Sequence, residues 1–116
     1  MNRMNNKCHL LDATPNEELL SPTRTHFKLL KTYEDESHIM RYLLRCKLCP
    51  QLYFFEFYEE IDWDKGEDPQ YTSYIPVNTQ EDADKINQFS QFELLKVKPR
   101  LQADFVGSTK TIRWVK

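Results

Sequence analysis

The sequence predicts an α+β fold, in which an antiparallel β-meander with a CxxC hairpin knuckle is followed by two short helices and a C-terminal strand. Three observations lead to this prediction. Strand-like segments occupy most of residues 26–77, a cysteine pair lies between two of them, and two helix-capping motifs occur in residues 78–116. Because 116 residues is the size of one ordinary domain, we expect a single domain over residues 1–116.

The meander is predicted from four segments of strand-like composition that are separated by turn residues. Their expected bounds are residues 26–35, 38–46, 52–63 and 71–77. Residues 1–25 are mostly polar and contain Pro15 and Pro22, so they predict a loop-rich N-terminal arm. Pro76 has no amide hydrogen to donate to a neighbouring strand, which predicts that the fourth strand lies at an edge of the sheet.

The second half of the chain carries two helix-start signals. Thr79 and Asp82 predict a helix N-terminus at QEDADKINQ, whose early acidic residues suit the positive end of the helix dipole. Ser90 and Glu93 match the capping-box pattern S-x-x-E at the start of SQFELLK. The closing TIRWVK alternates between apolar and polar residues, which predicts a last strand that rejoins the sheet.

Composition restricts the class of protein. Hydrophobic residues make up 40% of the chain and charged residues 29%, as expected for a globular domain. No apolar run approaches the roughly 18 residues that a membrane span requires, so no membrane partner is expected. The first residues lack the apolar core of a signal peptide, which predicts a cytoplasmic location. With only two glycines, the chain offers no glycine-rich phosphate loop.

The stretch RCKLCPQLYF places Cys46 and Cys49 between two predicted strands. Two thiolates at C-x2-C spacing on a tight turn can bind one edge of a metal ion while backbone amides point at the sulfurs. Three cysteines is an odd number, which argues against a disulfide framework and favours a structural zinc ion. Cys8 is the expected third ligand, and His9 is favoured over His26 as the fourth. The alternatives are that the pair consists of buried apolar residues or acts in redox chemistry.

The CKLC stretch resembles one knuckle of a zinc ribbon, in which a cysteine pair lies at a hairpin tip and an aromatic residue follows. The second C-x2-C pair of a ribbon is missing from this chain. Together with LYFFEFYEEIDW, the stretch also resembles small uncharacterised bacterial proteins that have a single zinc-ribbon-like CxxC knuckle. That resemblance implies no activity.

Residues 56–68 contain seven acidic residues and one lysine, a local net charge of −6 in a chain whose total is −2. On a strand, alternate side chains project from one face, and carboxylates placed so closely repel each other unless a basic partner covers them. The predicted partner-binding residues, which we call the acidic ridge, are Glu56, Tyr58, Glu60, Asp62 and Trp63. Phe54 and Tyr58 are expected to stand exposed among these acids.

We therefore expect a non-enzymatic protein-binding domain that presents the acidic ridge to a basic protein partner. A bacterial immunity protein that neutralises a toxin is the most concrete version, because an acidic and aromatic surface suits a basic toxin.

A zinc-ribbon-like nucleic-acid adaptor is one alternative, and a small carboxylate-based hydrolase is the other. The basic residues available to an adaptor are Lys28, Lys31, Arg41, Arg45, Lys47, Lys96, Lys98 and Arg100. Nucleic acid is disfavoured as the partner, because the acidic ridge beside the knuckle repels phosphate groups.

Overall fold

The computed structural model describes Cys8, residues 26–61 and residues 68–116, and this part of the chain contains six β-strands and two short α-helices. The strands are β1 (Phe27–Glu36), β2 (Ile39–Cys46), β3 (Leu52–Glu59), β4 (Gln70–Val77), β5 (Arg100–Val106) and β6 (Thr109–Val115). The helices α1 (Gln80–Ile86) and α2 (Gln91–Leu94) connect β4 to β5. Each strand runs antiparallel to the next in the order β1-β2-β3-β4-β5-β6, which makes one open meander. No helix in the described ranges is long and apolar enough to span a membrane.

The predicted α+β class is wrong, because the protein is mostly antiparallel sheet. Of the described residues, 56% lie in strands and 14% in helices. Both predicted helices are present with their predicted caps: Thr79 Oγ1 accepts from the Asp82 amide, and Ser90 with Glu93 forms the capping box. With seven and four residues, however, these helices are too short to form a layer comparable to the sheet. The C-terminal strand is present as β6 and pairs with β5.

The sequence does not predict β5, and this strand changes the position of β4. Gln102 and Asp104 interrupt RLQADFV, which weakens its apolar strand pattern. Because β4 pairs with β3 on one side and β5 on the other, the prediction that β4 is an edge strand is wrong. Pro76 is tolerated there because β5 pairs only with residues 70–74 of β4. No residue of β5 therefore requires an amide hydrogen from Pro76.

The sheet buries residues on both of its faces. The first face buries Phe27, Leu44, Cys46, Tyr53, Phe55, Tyr74 and Leu101, together with Cys8. The second face buries Leu43, Phe54, Ile75 and Val77 together with Ala83 of α1 and Leu94 of α2. Successive residues of β3 alternate between the two clusters, so residues 53–56 are all buried. The expectation that Phe54 stands exposed is therefore wrong, because the helical connection covers its face of the sheet.

Helix α1 is tied to the edge strand β1 through Asp84. Tyr33 Oη donates a hydrogen bond to Asp84 Oδ1 at 2.6 Å, and Lys31 Nζ lies 3.3 Å from the same oxygen. The hydrogen bond from Tyr33 is the main reason that the pKa of Asp84 lies below its ordinary value. A helix of seven residues gains little from its own backbone, so these contacts and the burial of Ala83 hold it on the sheet.

Because two tyrosines are buried, we predict that the sheet unfolds cooperatively at high pH. Burial raises the pKa of both Tyr53 and Tyr74 above the value of about 10 that is usual for tyrosine. A tyrosine whose pKa is higher in the folded than in the unfolded state stabilises the fold. This stabilisation is fully present below about pH 10 and is lost as the pH rises through the folded-state pKa. In an alkaline titration, the tyrosinate absorbance of these two rings should therefore appear together with the loss of β-sheet circular dichroism.

Tyr74→Phe is the matched control for this titration, because the Tyr74 hydroxyl is buried and has no hydrogen-bond partner in the described part of the chain. Removing an unsatisfied hydroxyl should leave stability at neutral pH unchanged or slightly higher. The variant should also lose part of the late tyrosinate signal. Ionisation of every tyrosine while the sheet remains intact would contradict the prediction.

Candidate functional site: a cysteine cluster and an acidic aromatic cavity

Three cysteines form a cluster at the tip of the β2–β3 hairpin. Cys46 is the last residue of β2, Cys49 lies in the turn that follows, and Cys8 joins them from the N-terminal part of the chain. Their Sγ atoms all lie within 4.8 Å of one another, and none of the three is in a disulfide. Cys8 and Cys46 are buried, whereas Cys49 is half-buried. Three predicted metal ligands are thus brought together, and they can hold a metal ion.

Backbone hydrogen bonds shape the turn around this cluster. The Cys46 amide donates to the Gln51 carbonyl at 3.0 Å, and the Lys47 amide donates to the His26 carbonyl at 3.0 Å. The Leu48 amide donates to Cys46 Sγ at 3.4 Å. An amide that points at a sulfur stabilises the thiolate, which is the form that binds metal. The expected amide-to-sulfur contact is therefore present at Cys46.

The two candidates for the fourth ligand are His9 and His26. His9 lies outside the described residues. His26 is near the knuckle, since its carbonyl accepts the bond from Lys47, but its ring nitrogens do not join the group of three thiols. Its ring instead packs edge-on to Phe27, with the ring centroids 6.4 Å apart. Within the described ranges, the cluster consists of sulfur ligands only.

The spacing of the thiols is suited to a metal ion. In a tetrahedral site with Zn–S bonds of about 2.3 Å, thiolate sulfurs lie about 3.8 Å apart. In this protein no two of the three Sγ atoms are more than 4.8 Å apart, which is near the spacing in a zinc site. The S–S bond of a disulfide is much shorter, at about 2.05 Å. The three sulfurs are therefore spaced as candidate ligands of one metal ion and not as a disulfide pair.

Tyr53 of β3 lies beside the cluster in the first face of the sheet. Its side chain is 1% exposed, and its ring packs edge-on to Phe27 with the centroids 5.3 Å apart. Burial, and after it the nearby Cys8, raises the pKa of the Tyr53 hydroxyl. Although Cys8 is close, the hydroxyl makes no hydrogen bond of regular geometry within the described residues. A thiolate at Cys8 would be a better acceptor for this hydroxyl than a thiol, so Tyr53 fits beside metal-bound cysteines.

The acidic ridge is not a continuous exposed face. Glu56 is only 4% exposed, so the expectation that it lies on an outer face is wrong. Tyr58 is half-buried and Glu60 is exposed, while Asp62 and Trp63 lie outside the described residues. The alternation along one strand gives the correct side of the sheet for Glu56. It does not show that the helical connection covers that side.

Glu56 forms a buried ion pair with Arg41, the residue opposite it on β2. Arg41 Nε and Nη2 lie 2.8 and 2.7 Å from Glu56 Oε2. Nη1 also donates to the Asn87 carbonyl at 2.9 Å, and Nη2 donates to the Phe89 carbonyl at 2.8 Å. Burial raises the pKa of Glu56, and the hydrogen bond from Arg41 opposes this shift. Arg41 thus connects the sheet to the segment between α1 and α2.

Sequence reasoning places Arg41 among the basic surface residues, and this is wrong because Arg41 is only 6% exposed. A signal for its position exists in IMRYLLRC, where Arg41 shares a strand face with Leu43. Arg100, at 5% exposed, is also buried, and its Nη1 donates to the Val97 carbonyl. Two of the basic residues assigned to a nucleic-acid adaptor are therefore inaccessible to phosphate groups.

A cavity of about 250 Å³ opens between the sheet and α2. It is lined by Glu56, Tyr58, Glu60, Tyr71, Ser73, Gln91, Phe92, Leu95 and Gln102. The rings of Tyr58 and Tyr71 are nearly parallel, with an angle of 17° and centroids 6.4 Å apart. The Phe92 side chain is 71% exposed at this site. The cavity therefore combines three residues of the acidic ridge with aromatic residues that the sequence pattern does not single out.

Buried polar groups of β4 and β5 form one side of the cavity. Ser73 Oγ donates to Gln102 Oε1 at 2.9 Å, and Arg100 Nε donates to the same oxygen at 2.9 Å. Gln102 Nε2 donates to Asp104 Oδ1 at 2.9 Å, and Arg113 Nη1 lies 3.2 Å from Asp104 Oδ2. These bonds fix the orientation of the polar groups, so the cavity has a rigid polar wall.

The chain matches no protein-family model, no curated protein and no solved structure. Its fold and sites define a mainly β protein with a cysteine cluster on the first face of the sheet and an acidic aromatic cavity on the second.

Proposed function

We propose that the protein is a non-enzymatic protein-binding domain, stapled by a structural zinc ion, that binds a basic partner protein through the acidic aromatic cavity. One observation carries this proposal. Glu56, Tyr58 and Glu60 of the acidic ridge line a single cavity, whose border includes the exposed side chain of Phe92. Exposed aromatic side chains around a recess are typical of surfaces that bind another protein.

Charge favours a basic partner. Glu60 is exposed and has no ion-pair partner among the described residues. It belongs to residues 56–68, whose local net charge is −6. A partner rich in lysine and arginine would neutralise Glu60 while covering Phe92. A toxin with a basic active site is one such partner, and this protein would then act as its immunity protein.

The cysteine cluster supports the zinc part of the proposal. Zinc held by Cys8, Cys46 and Cys49 would crosslink the N-terminal part of the chain to the β2–β3 hairpin, and His9 remains the predicted fourth ligand. Crosslinks of this kind supply stability that a small hydrophobic core cannot. The zinc and the cavity lie on opposite faces of the sheet, so the zinc serves the fold and the cavity serves the binding.

Affinity capture from the source cell tests the binding part. The bait proteins are the wild type, a Glu60→Lys, Phe92→Ala double variant, and a Glu36→Lys control at an exposed position outside the cavity. We expect a partner with a basic surface to bind the wild type and the control but not the double variant. Substitutions at exposed sites change stability by about 0.5 kcal/mol or less, so all three proteins should remain folded.

The captured partner should also associate more slowly with the wild type as salt is added, because the screening length falls to about 8 Å at physiological ionic strength. Stopped-flow mixing at low and high salt measures this effect. The same set of captured proteins for all three baits would contradict a role of the cavity in partner binding.

A further inference from the structure

We infer that the cavity is a receptor for the guanidinium group of a single arginine side chain. This inference rests on the proposed function for the source of the arginine, which is an exposed loop of the basic partner. The chemistry of the cavity itself can be tested without that partner.

Two polar side chains that line the cavity, Glu56 and Ser73, have acceptors available for a ligand. Arg41 contacts only Oε2 of Glu56, so Oε1 receives no hydrogen bond from the described residues. Ser73 Oγ has already given its proton to Gln102, which leaves its lone pairs as acceptors. Gln102 donates to Asp104 and accepts from both Ser73 and Arg100. Glu56 Oε1 and Ser73 Oγ can therefore accept from a ligand that brings donors, and a guanidinium group has five N–H donors and no acceptor.

The remaining walls suit a flat cation on an aliphatic stem. Tyr58 and Tyr71 present two nearly parallel rings, and Phe92 and Leu95 supply apolar surface. Guanidinium is planar and weakly hydrated, so it stacks on aromatic rings more readily than an ammonium group does. Cation–π contact with a tyrosine face adds to the attraction when the cation is partly removed from water.

Negative charge lies at the same wall. Burial raises the pKa of Tyr71, and the charges of Glu60 and Asp104 raise it further, so both carboxylates act on the Tyr71 ring from close by. Arg113 already pairs with Asp104, whereas Glu60 has no ion-pair partner in the described part of the chain. Glu60 is therefore the cavity carboxylate that no described cation neutralises, and it favours a ligand with one positive charge.

The size of the cavity limits the occupant to one side chain. Pockets for drug-sized ligands are typically about 300–1,000 Å³, and this one is about 250 Å³. It is too small for a folded element of a partner, which would instead contact the exposed Phe92 around it. An arginine at a loop tip would thus insert while the surrounding surface of the partner packs on α2.

Titration of the full-length protein with small probes tests this inference directly. N-acetyl-arginine amide is the arginine probe, and the corresponding citrulline and lysine derivatives are the comparators. Citrulline has nearly the same shape but no charge, so it should bind at least about tenfold more weakly than arginine. Two-dimensional NMR should show the largest amide shifts at Tyr58, Tyr71 and Phe92 on addition of the arginine probe.

Two matched variants sharpen the test. Glu60→Gln should weaken binding of the arginine probe by about three- to tenfold, whereas Glu36→Gln should leave it unchanged, because Glu36 does not line the cavity. Equal affinity for citrulline and arginine, or tighter binding of the lysine probe, would overturn the inference. So would the absence of shifts at cavity residues in a large excess of arginine probe.

The results of the capture experiment and the titration can be separated. If the partner is lost in the cavity variant but the arginine probe does not bind, the proposed function stands and the arginine inference fails. If the arginine probe binds in the cavity but no partner depends on Glu60 and Phe92, the receptor chemistry stands and the proposed partner binding fails.

Discussion

Cys49→Ser is expected to abolish zinc binding and to lower the free energy of unfolding by at least about 2.7 kcal/mol, the contribution of a ligand present at 100 times its Kd. The reason is that a structural zinc site exists only in the folded chain, so its binding energy adds to folding. Cys49 is half-buried, and its replacement therefore removes little packing. Cys46→Ser should also lose the metal, but its stability loss mixes metal and packing effects because Cys46 is 1% exposed.

The measurement combines metal analysis with urea unfolding. Wild-type protein purified without added zinc should carry one equivalent, and a chelator should lower its unfolding midpoint. The Cys49→Ser variant should carry none, and the chelator should leave its unfolding midpoint unchanged. This comparison separates the metal from the side chain, because any loss of packing is the same with and without chelator. If the wild type carries no metal and its unfolding midpoint is the same with and without chelator, the zinc part of the proposal is wrong.

The sequence predicts the part of this cysteine site that neighbouring residues form, which is the pair Cys46 and Cys49. C-x2-C spacing between two strands is enough to place Cys46 and Cys49 at a hairpin tip, because the turn is formed by neighbouring residues. The position of Cys8 depends on how the chain returns to the sheet, which no short-range pattern determines. Its prediction as the third ligand follows only from the count of three cysteines, and the cluster within 4.8 Å agrees with it.

The strands and helices show the same limit of local information. Alternation and turn residues predict β1 to β4 within a few residues, and capping motifs predict the starts of α1 and α2. β5 is missed because Gln102, a buried polar residue whose side chain bonds Ser73, Arg100 and Asp104, looks like a loop residue in the sequence. The α+β class fails because capping motifs locate helices but do not give their length.

The acidic ridge is predicted in part for a related reason. The charge of a residue is visible in the sequence, but its partner across a sheet is not. Glu60 is exposed as expected, whereas Glu56 is covered because Arg41 on the neighbouring strand compensates its charge. In its described part, a strand face that the sequence predicts to be acidic and solvated thus contains one surface carboxylate and one buried ion pair.

Arg41→Met is expected to lower the free energy of unfolding by about 3–5 kcal/mol at neutral pH, which is the usual cost of removing one partner from a buried ion pair. The variant leaves the Glu56 carboxylate buried without its counter-ion. It also removes the donors to the Asn87 and Phe89 carbonyls, so the segment after α1 loses its attachment to the sheet. Urea unfolding followed by circular dichroism measures the loss.

The double variant Arg41→Met, Glu56→Met is the control that identifies the cause. Replacing both members of a buried ion pair by apolar residues is often neutral or stabilising, so the double variant should recover most of the loss. If Arg41 acts mainly through the two carbonyls, the double variant will stay as unstable as Arg41→Met. A loss of less than about 1 kcal/mol in Arg41→Met would show that the pair contributes no more than a surface ion pair does.

The pH dependence of Arg41→Met gives a second test of the same cause. Burial already raises the pKa of Glu56 in the wild type, and removal of Arg41 takes away the interaction that opposes this shift. When the folded-state pKa of a carboxyl lies above its unfolded value, the group contributes most to stability below the unfolded pKa of about 4.3. This contribution to stability falls as the pH rises through the folded-state pKa. The gap in stability between the wild type and Arg41→Met should therefore narrow in mild acid and widen towards pH 8. A gap that is constant across this range would mean that the lost carbonyl bonds, and not the stranded carboxylate, destabilise the variant.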